Sequence, residues 1–267
     1  MEYTQKHLSK LNQPLPRLTE RAIKWLTFLN RHGPLPSHYL YEYTRATHRC
    51  KDTCLRNLKT LCEQGILYRP PQQMNFPNAP FNPYIYDLSD RGHAALIEAG
   101  IEKNPTRPTG HFPHLHMTAC VTASIEMEAI KAGNEYIEAK TILALKDSAL
   151  AIPLKSGKLI PDQLFAIKTT LGYRAYALEV DRGTEPIASP AMRKSYQRSI
   201  EQYKEVFEQE LSKTHYGLTA PLICIWLFSK KTRLRAFEVL MKEIKLQNKI
   251  ILETYENYVL NVHRIIR

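Results

Sequence analysis

The sequence predicts a two-domain protein of the α/β class (α+β overall), in which a small helical domain precedes a larger domain built on a central mixed sheet. Apolar residues recur at helical spacing through the first part of the chain and are followed by two strand-like runs. A polar segment with three prolines, residues 101–113, then separates the halves. The second half continues as helix, three strands, helix and strand, an order typical of an α/β domain. We therefore assign residues 1–100 to the first domain and 114–267 to the second.

Composition and charge narrow the possible functions. The chain has 267 residues, of which 43% are hydrophobic and 24% charged, a balance typical of folded globular proteins. Its formal net charge is +11, which favours a polyanionic partner because Lys and Arg that neutralise phosphates release condensed counterions. No apolar stretch is long enough for membrane insertion, and the N-terminus lacks the apolar core of a secretion signal. With five cysteines in helical or core-like segments, we expect a reduced, cytoplasmic setting.

Three helices are predicted in the first domain. They span Leu18–Arg31, Ser37 to about Arg45, and Arg49–Gln64, and the third ends at Gly65, a residue that favours the left-handed helix stop. The inner face of the third helix is apolar and consists of Leu55, Leu58, Leu61 and Cys62. Its outer face is basic and carries Arg49, Lys51, Arg56 and Lys59.

A β-hairpin is predicted directly after the third helix. Its strands are Ile66–Arg69 and Tyr84–Leu88, joined by a loop rich in Pro and Asn, and a closing helix spans Ser89–Glu98. Three helices and a hairpin are typical of a winged helix-turn-helix, whose third helix usually enters the major groove of DNA. We therefore interpret the basic outer face of the third helix as a DNA contact and the hairpin as a wing that grips the backbone. Some winged helices bind protein instead, and that alternative remains open.

The second domain is predicted to begin with one helix and three strands, which precede its long central helix. A helix spans Leu115–Ala132, and three strands span Tyr136–Leu143, Leu159–Lys168 and Tyr173–Asp181. The elements that follow are a long helix from about Ser189 to Leu211, a fully apolar strand at Pro221–Ser229, an amphipathic helix to about Gln247, and strand material at Ile250–Val262.

Three carboxylates are expected at one end of this sheet. Glu179 and Asp181 point to the same face of their strand because side chains alternate, and Asp162 begins the neighbouring strand. Carboxylate oxygens suit Mg²⁺ or Mn²⁺, and a cation would neutralise such crowded charges. Such a metal could bind a scissile phosphate and activate a water molecule. Glu126 or Glu128, on the preceding helix, is a weaker possible ligand.

Basic residues near these acids could contact the DNA backbone. Arg182 belongs to the turn after the third strand, and a second basic cluster follows the apolar strand. That cluster contains Lys230, Lys231 and Arg233. A solvated helix start explains the cluster equally well.

The motif Ile160-Pro161-Asp162 followed by Glu179-Val180-Asp181 resembles the PD-(D/E)xK nuclease superfamily of restriction-endonuclease-like fold. The resemblance implies a metal-dependent nuclease domain with a basic catalytic residue. The superfamily's lysine is replaced by Asp181 in this sequence. In some members the basic residue has moved to the next helix, which here points to Lys194 or Arg198.

A longer string, Pro-Asp and then ALEVDRGTEP at residues 177–186, resembles the replication-relaxation family, which includes MobC-type conjugative relaxases. An upstream histidine, His114 or His116, and an N-terminal winged helix belong to the same pattern. The resemblance implies a relaxase that nicks one strand at a plasmid origin of transfer with Mg²⁺ or Mn²⁺ and an acidic triad. By position the triad is Asp162, Glu179 and Asp181. Relaxosome accessory and coupling proteins are the further partners that it implies.

Two other functions remain open. His114-Leu115-His116 fits the His-hydrophobic-His motif of relaxases that attack through tyrosine, although those histidines lie on a central strand and these precede a helical pattern. The missing lysine also fits a non-catalytic winged-helix protein of plasmid replication or regulation with a degenerate nuclease fold. A covalent phosphotyrosyl product would identify the first alternative, and DNA binding without cutting the second.

Overall fold

The computed structural model describes residues 14–155, 157–184, 186, 195–242, 246 and 248–257. The chain divides into two compact units, Met1–Ala123 and Ser124–Arg267, with the division inside a helix. The predicted mixed sheet is confirmed, within a mixed α+β architecture. None of the helices in the described ranges is long and apolar enough to cross a membrane.

The first unit contains helices around a small antiparallel sheet. The elements are α1 (Glu20–His32), β1 (Leu35–Pro36), α2 (Ser37–Tyr43), α3 (Lys51–Glu63), β2 (Leu67–Tyr68), β3 (Ile85–Leu88) and α4 (Asp90–Glu98). The sheet has the order β1-β3-β2, and both pairings are antiparallel. The sequence predicted the helices and the β2–β3 hairpin, but it missed β1, which is two residues long and contains a proline.

Caps and apolar packing explain why these helices form. The hydroxyl of Thr19 accepts a hydrogen bond from the Ala22 N–H and caps α1. Trp25, Leu26, Phe28 and Leu29 of α1 are buried. Helix α3 begins at Lys51, because Cys50 has extended backbone angles, so Arg49 precedes the helix that was predicted to include it.

The segment predicted as a linker, residues 101–113, has ordered contacts within the first unit. The Asn30 amide donates to the Glu102 carbonyl at 2.9 Å, and its oxygen accepts from the Asn104 N–H at 3.1 Å. Arg107 forms an ion pair with the buried carboxylate of Asp87. Helix α5 (Phe112–Lys131) follows and contains the point where the two units divide.

The second unit is built on a five-stranded sheet. After α5 come β4 (Glu135–Glu138), α6 (Ala139–Leu143), β5 (Ile152–Leu154), β6 (Gly157–Leu159), β7 (Gln163–Thr169), β8 (Gly172–Asp181), α7 (Tyr196–Glu208), α8 (Leu211–Tyr216), β9 (Leu222–Phe228), α9 (Lys231–Lys242) and β10 (Ile250–Thr254). The sheet order is β10-β9-β8-β7-β4. Strands β8, β9 and β10 are parallel, whereas β7 is antiparallel to both β8 and β4.

Two sequence predictions for the second unit were wrong. The strand predicted at Tyr136–Leu143 ends at Glu138 and continues as helix α6, whose Ile142 and Leu143 are buried by helical spacing. The strand predicted at Leu159–Lys168 is divided, because Leu159 pairs in a separate hairpin with β5 and β7 begins at Gln163. The start of the predicted central helix lies outside the described residues, as does the end of Ile250–Val262.

One apolar core holds α7 and α9 against one face of the sheet. Its members include Ala175 and Ala177 of β8, Trp226 and Phe228 of β9, and the residues that these two helices contribute: Tyr196, Ile200, Tyr203, Phe237 and Met241. Glu179 and Asp181 continue the face of Ala175 and Ala177 by strand alternation. This packing therefore determines the surroundings of both acids.

Candidate nucleic-acid interface and acidic strand end

Helix α3 has one buried face and one exposed face. Cys54, Leu58 and Leu61 are buried, which confirms the prediction for the two leucines, whereas Leu55 and Cys62, also predicted on the inner face, are only partly buried. The predicted basic residues are all exposed: Arg49, Lys51, Arg56 and Lys59. Lys59 lies 3.8 Å from Glu63, one helical turn away, but both side chains remain largely exposed to water. The cations on the exposed face stay hydrated, so they change the free energy of folding very little.

A network of buried polar groups fixes the turn that leads into α3. The Trp25 indole N–H donates to the Leu40 carbonyl at 2.8 Å and contacts the Thr44 hydroxyl at 2.9 Å. The His48 ring stacks on Trp25 with centroids 5.5 Å apart, and its Nε2 lies 2.8 Å from the same hydroxyl. Burial lowers the pKa of His48. These contacts connect the turn between α2 and α3 to Trp25 of α1, and they therefore position the start of α3 relative to α1 and α2.

The acidic residues lie where β7 begins and β8 ends. The regular pairing stops at Gln163 and Leu178, and the Asp162 N–H still donates to the Leu178 carbonyl at 3.0 Å. One carboxylate oxygen of Asp162 accepts the Val180 N–H at 2.7 Å. Asp162 therefore lies beside Glu179, as predicted, and satisfies a backbone donor at the end of the ladder.

Glu179 is buried against helix α7. Only 2% of its surface is exposed, and its Oε1 accepts the phenol of Tyr203 at 2.8 Å. Tyr203 is completely buried, and burial raises the pKa of its phenol well above the usual value. This phenol therefore stays protonated at ordinary pH and remains a hydrogen-bond donor to Glu179.

Asp181 is bound by a phenol and a guanidinium. Its Oδ2 accepts the Tyr196 phenol at 2.7 Å and the Arg233 Nε–H at 2.9 Å, and Arg233 also lies 2.7 Å from that phenol. Burial, followed by the Asp181 carboxylate, raises the pKa of Tyr196. Within the described residues, Asp181 Oδ1 is buried without a hydrogen-bond partner. Arg233, predicted to contact phosphate, thus donates its Nε–H to an acid.

The protein itself supplies hydrogen-bond partners to the three acids. Across the described ranges, no three His, Cys, Asp or Glu side chains are grouped closely enough to hold an ion. At least one carboxylate oxygen of each of these three acids is already hydrogen-bonded to the protein: to a backbone N–H at Asp162, to a phenol at Glu179, and to a phenol and a guanidinium at Asp181.

The other predicted site residues have separate surroundings. Glu126 is buried on α5, and Glu128 lies 3.6 Å from Lys131. Lys194 lies outside the described residues, while the Arg198 N–H is directed at the Ser195 hydroxyl that caps α7. Arg182 is partly exposed where β8 ends, and Lys230 and Lys231 are exposed at the start of α9.

His116 lies on a helix and not on a strand. It belongs to α5, its Nδ1 lies 3.1 Å from the Pro34 carbonyl, and its ring stacks on Phe112 with centroids 6.0 Å apart. Burial lowers its pKa. His114 lies on the same helix. Neither histidine therefore occupies the central strand that the tyrosine-relaxase motif requires.

The model of the replication-relaxation family matches residues 26–222, which include helix α3 and all three acids. The chain belongs to the replication-relaxation family. Membership points to a role in plasmid replication or mobilisation and to interaction with DNA. No curated protein and no solved structure matches this chain.

Sequence reasoning missed the two tyrosines that bind the acids of this replication-relaxation protein. Tyr196 and Tyr203 lie two helical turns apart on α7 and both point at the sheet. Their spacing, with Ile200 between them, is visible in the sequence as one apolar helix face. The hydroxyls on that face could have indicated polar partners in the opposing strand, because a buried phenol usually finds one.

Proposed function

We propose that the first unit is a winged helix-turn-helix that binds duplex DNA through helix α3, and that the protein acts in this way in plasmid replication or mobilisation. Family membership supports a DNA partner. The order of three helices and a hairpin supports the winged helix, because β1 adds the third strand that pairs with the hairpin.

The observation that carries the proposal is the exposed face of α3. Arg56 and Lys59 lie on the side opposite Leu58 and Leu61, so both cations can reach phosphate or base edges without disturbing the core. A protein-binding surface would be expected to expose apolar side chains at its centre, and this face exposes charged ones.

The double variant Arg56→Ala/Lys59→Ala tests this proposal. Removing two phosphate contacts should weaken binding to a duplex of about 30 base pairs by at least tenfold and reduce the slope of log affinity against log salt by about two. Lys213→Ala, an exposed cation on α8, is the matched control and should change neither quantity. Fluorescence anisotropy across a salt series measures both. Unchanged affinity and slope in the double variant would contradict binding through α3.

The enzymatic candidate is a strand-specific nick at an origin of transfer, with Mg²⁺ or Mn²⁺ and relaxosome accessory and coupling proteins as partners. It is favoured by the adjoining positions of Asp162 and Glu179 and by the buried, unpartnered Oδ1 of Asp181 among the described residues. The hydrogen bonds already made by the carboxylates would have to rearrange before any ion could bind. The non-catalytic alternative requires no such rearrangement.

Nicking of a supercoiled plasmid that carries the cognate site distinguishes these candidates. Metal-dependent nicking by the wild type that is lost in Asp162→Ala, with DNA binding retained, would support the enzyme. Binding without nicking in Mg²⁺ and in Mn²⁺ would support the non-catalytic protein. Equal loss of folding and binding in Asp162→Ala would mean that this carboxylate is structural, in agreement with its bond to the Val180 N–H.

A further inference from the structure

The loop between β2 and β3, residues 69–84, exposes large apolar side chains to water. Phe81 is 90% exposed, Met74 59% and Tyr84 51%. Single exposed apolar residues are common on protein surfaces, but a phenylalanine that buries almost none of its ring contributes nothing to folding. Such a side chain is therefore available to a partner.

Two side chains anchor the base of this loop to the first unit. The buried Gln73 accepts the Ile85 N–H at 2.9 Å and donates to the Pro70 carbonyl at 2.9 Å. Phe76 stacks on Phe112, with ring centroids 5.8 Å apart. The loop is thus fixed at its base, and the exposure of Phe81 results from a defined conformation.

The tip that carries Phe81 is also closed by its own hydrogen bonds. Asn78 adopts a left-handed conformation with φ 57°, which asparagine tolerates better than most residues. The Phe81 N–H donates to the Asn78 carbonyl at 2.9 Å, and the Asn82 side chain donates to the Pro77 carbonyl at 3.0 Å. Five prolines between residues 70 and 83 restrict the backbone further. Little conformational entropy remains to be lost when this tip meets a partner.

The charge of the loop matches a polyanion. Residues 69–84 contain no Asp or Glu, and Arg69 is exposed at their start. The Arg69 guanidinium lies 4.0 Å from the ring centroid of Tyr84 and donates to the Tyr86 hydroxyl at 3.3 Å. The stacking orients this cation on the same loop as the exposed ring.

We propose that Phe81 is a wedge that unstacks a base step of the duplex bound by helix α3. This inference rests on the proposed DNA binding and adds the residue that deforms the DNA. Rigid apolar side chains inserted between base pairs are a recognised means of kinking a duplex, and an aromatic ring can stack on any base it separates. The absence of acids and the stacked Arg69 favour DNA over an apolar protein surface.

The test compares two duplexes of about 30 base pairs and random sequence, identical except for one central T·T mismatch. A mismatched step is easier to unstack, so a wedge should bind the mismatched duplex about tenfold more tightly than the matched one. Phe81→Ala should bind both duplexes with equal affinity, whereas Phe81→Trp should retain the preference. A 2-aminopurine base beside the mismatch should brighten when the wild type binds and stay dark with Phe81→Ala.

Leu171→Ala is the matched control, since Leu171 is 98% exposed on the turn between β7 and β8 of the other unit. It should keep the mismatch preference. A preference that survives in Phe81→Ala, or is absent from a wild type that binds DNA, would overturn the wedge. Failure of the wild type to bind either duplex would instead overturn the proposed function.

Discussion

The exposed face of α3 and the end of β8 differ in the sign of their charges and in their exposure to water: α3 carries exposed cations, and β8 ends in a buried acid. Arg56 and Lys59 are exposed on α3. The Asp181 side chain has no exposed surface and is bound by Arg233 and Tyr196. The cations therefore lose little by staying in water, whereas the acid depends on its protein partners.

The difference in solvation separates the charges that the fold requires from those that it does not. A buried carboxylate without its donors is costly, so its partners stabilise the second unit. An exposed cation contributes almost nothing to stability, so the fold does not require the cations on α3. Substitutions in the two regions should therefore have very different effects on the free energy of unfolding.

Arg233→Ala should lower the free energy of unfolding more than the other variants. It leaves Asp181 with a phenol but no cation, and we expect the free energy of unfolding to fall by about 3 kcal/mol. Urea denaturation measures the loss, and hydrogen exchange in β8 and β9 should locate it. Arg235→Ala, an exposed arginine on the same helix, should cost no more than about 0.5 kcal/mol. Equal losses in the two variants would contradict the role of the ion pair.

Tyr203→Phe tests the second buried acid. It removes the donor to Glu179 without changing the packing of the ring, and we expect a loss of about 2 kcal/mol. Tyr173→Phe is the control, because its hydroxyl bonds Thr219 at the surface, and it should cost about 0.5 kcal/mol or less. The same urea experiment compares them. A Tyr203→Phe protein as stable as the wild type would show that this bond is not needed.

His38 should make the stability of the first unit depend on pH. Burial, together with Lys51 and His116, lowers its pKa from 6.5 to about 4, against a smaller opposing effect of Glu42. Its folded pKa is lower than its unfolded pKa, so its contribution is complete above pH 6.5 and is lost as pH falls towards about 4. The melting temperature should therefore decrease over that range, and less so in His38→Gln. His111→Gln, at an exposed position, should keep the full wild-type decrease.

Substitutions on the exposed face of α3 should have little effect on stability. Arg56→Ala/Lys59→Ala should change the free energy of unfolding by no more than about 1 kcal/mol, since each residue is exposed, while it weakens DNA binding. Urea denaturation beside the anisotropy titration separates the two quantities. A large loss of stability would show that these cations support the fold.

Much of the fold could be predicted from local pattern. The apolar spacing of α3 correctly separated buried Leu58 and Leu61 from exposed Arg56 and Lys59, and the apolar run of β9 correctly predicted a buried strand. The strand predicted at Tyr136–Leu143 was wrong beyond Glu138, at the edge of the five-stranded sheet. Ile142 and Leu143 suit either a strand or a helix over so few residues, and long-range packing decided in favour of the helix.

A motif resemblance indicated the family, while spacing along one or two adjacent elements was enough to predict the mixed sheet, the basic face of α3 and the closeness of Asp162 to Glu179. The partners of each acid depend on how the helices pack against the sheet. Tyr196 and Tyr203 come from α7 and Arg233 from α9, and no local pattern specifies which buried carboxylate each one reaches. The reason is physical: a buried charge is stabilised by whichever donors packing brings within about 3 Å, and packing is a property of the whole unit.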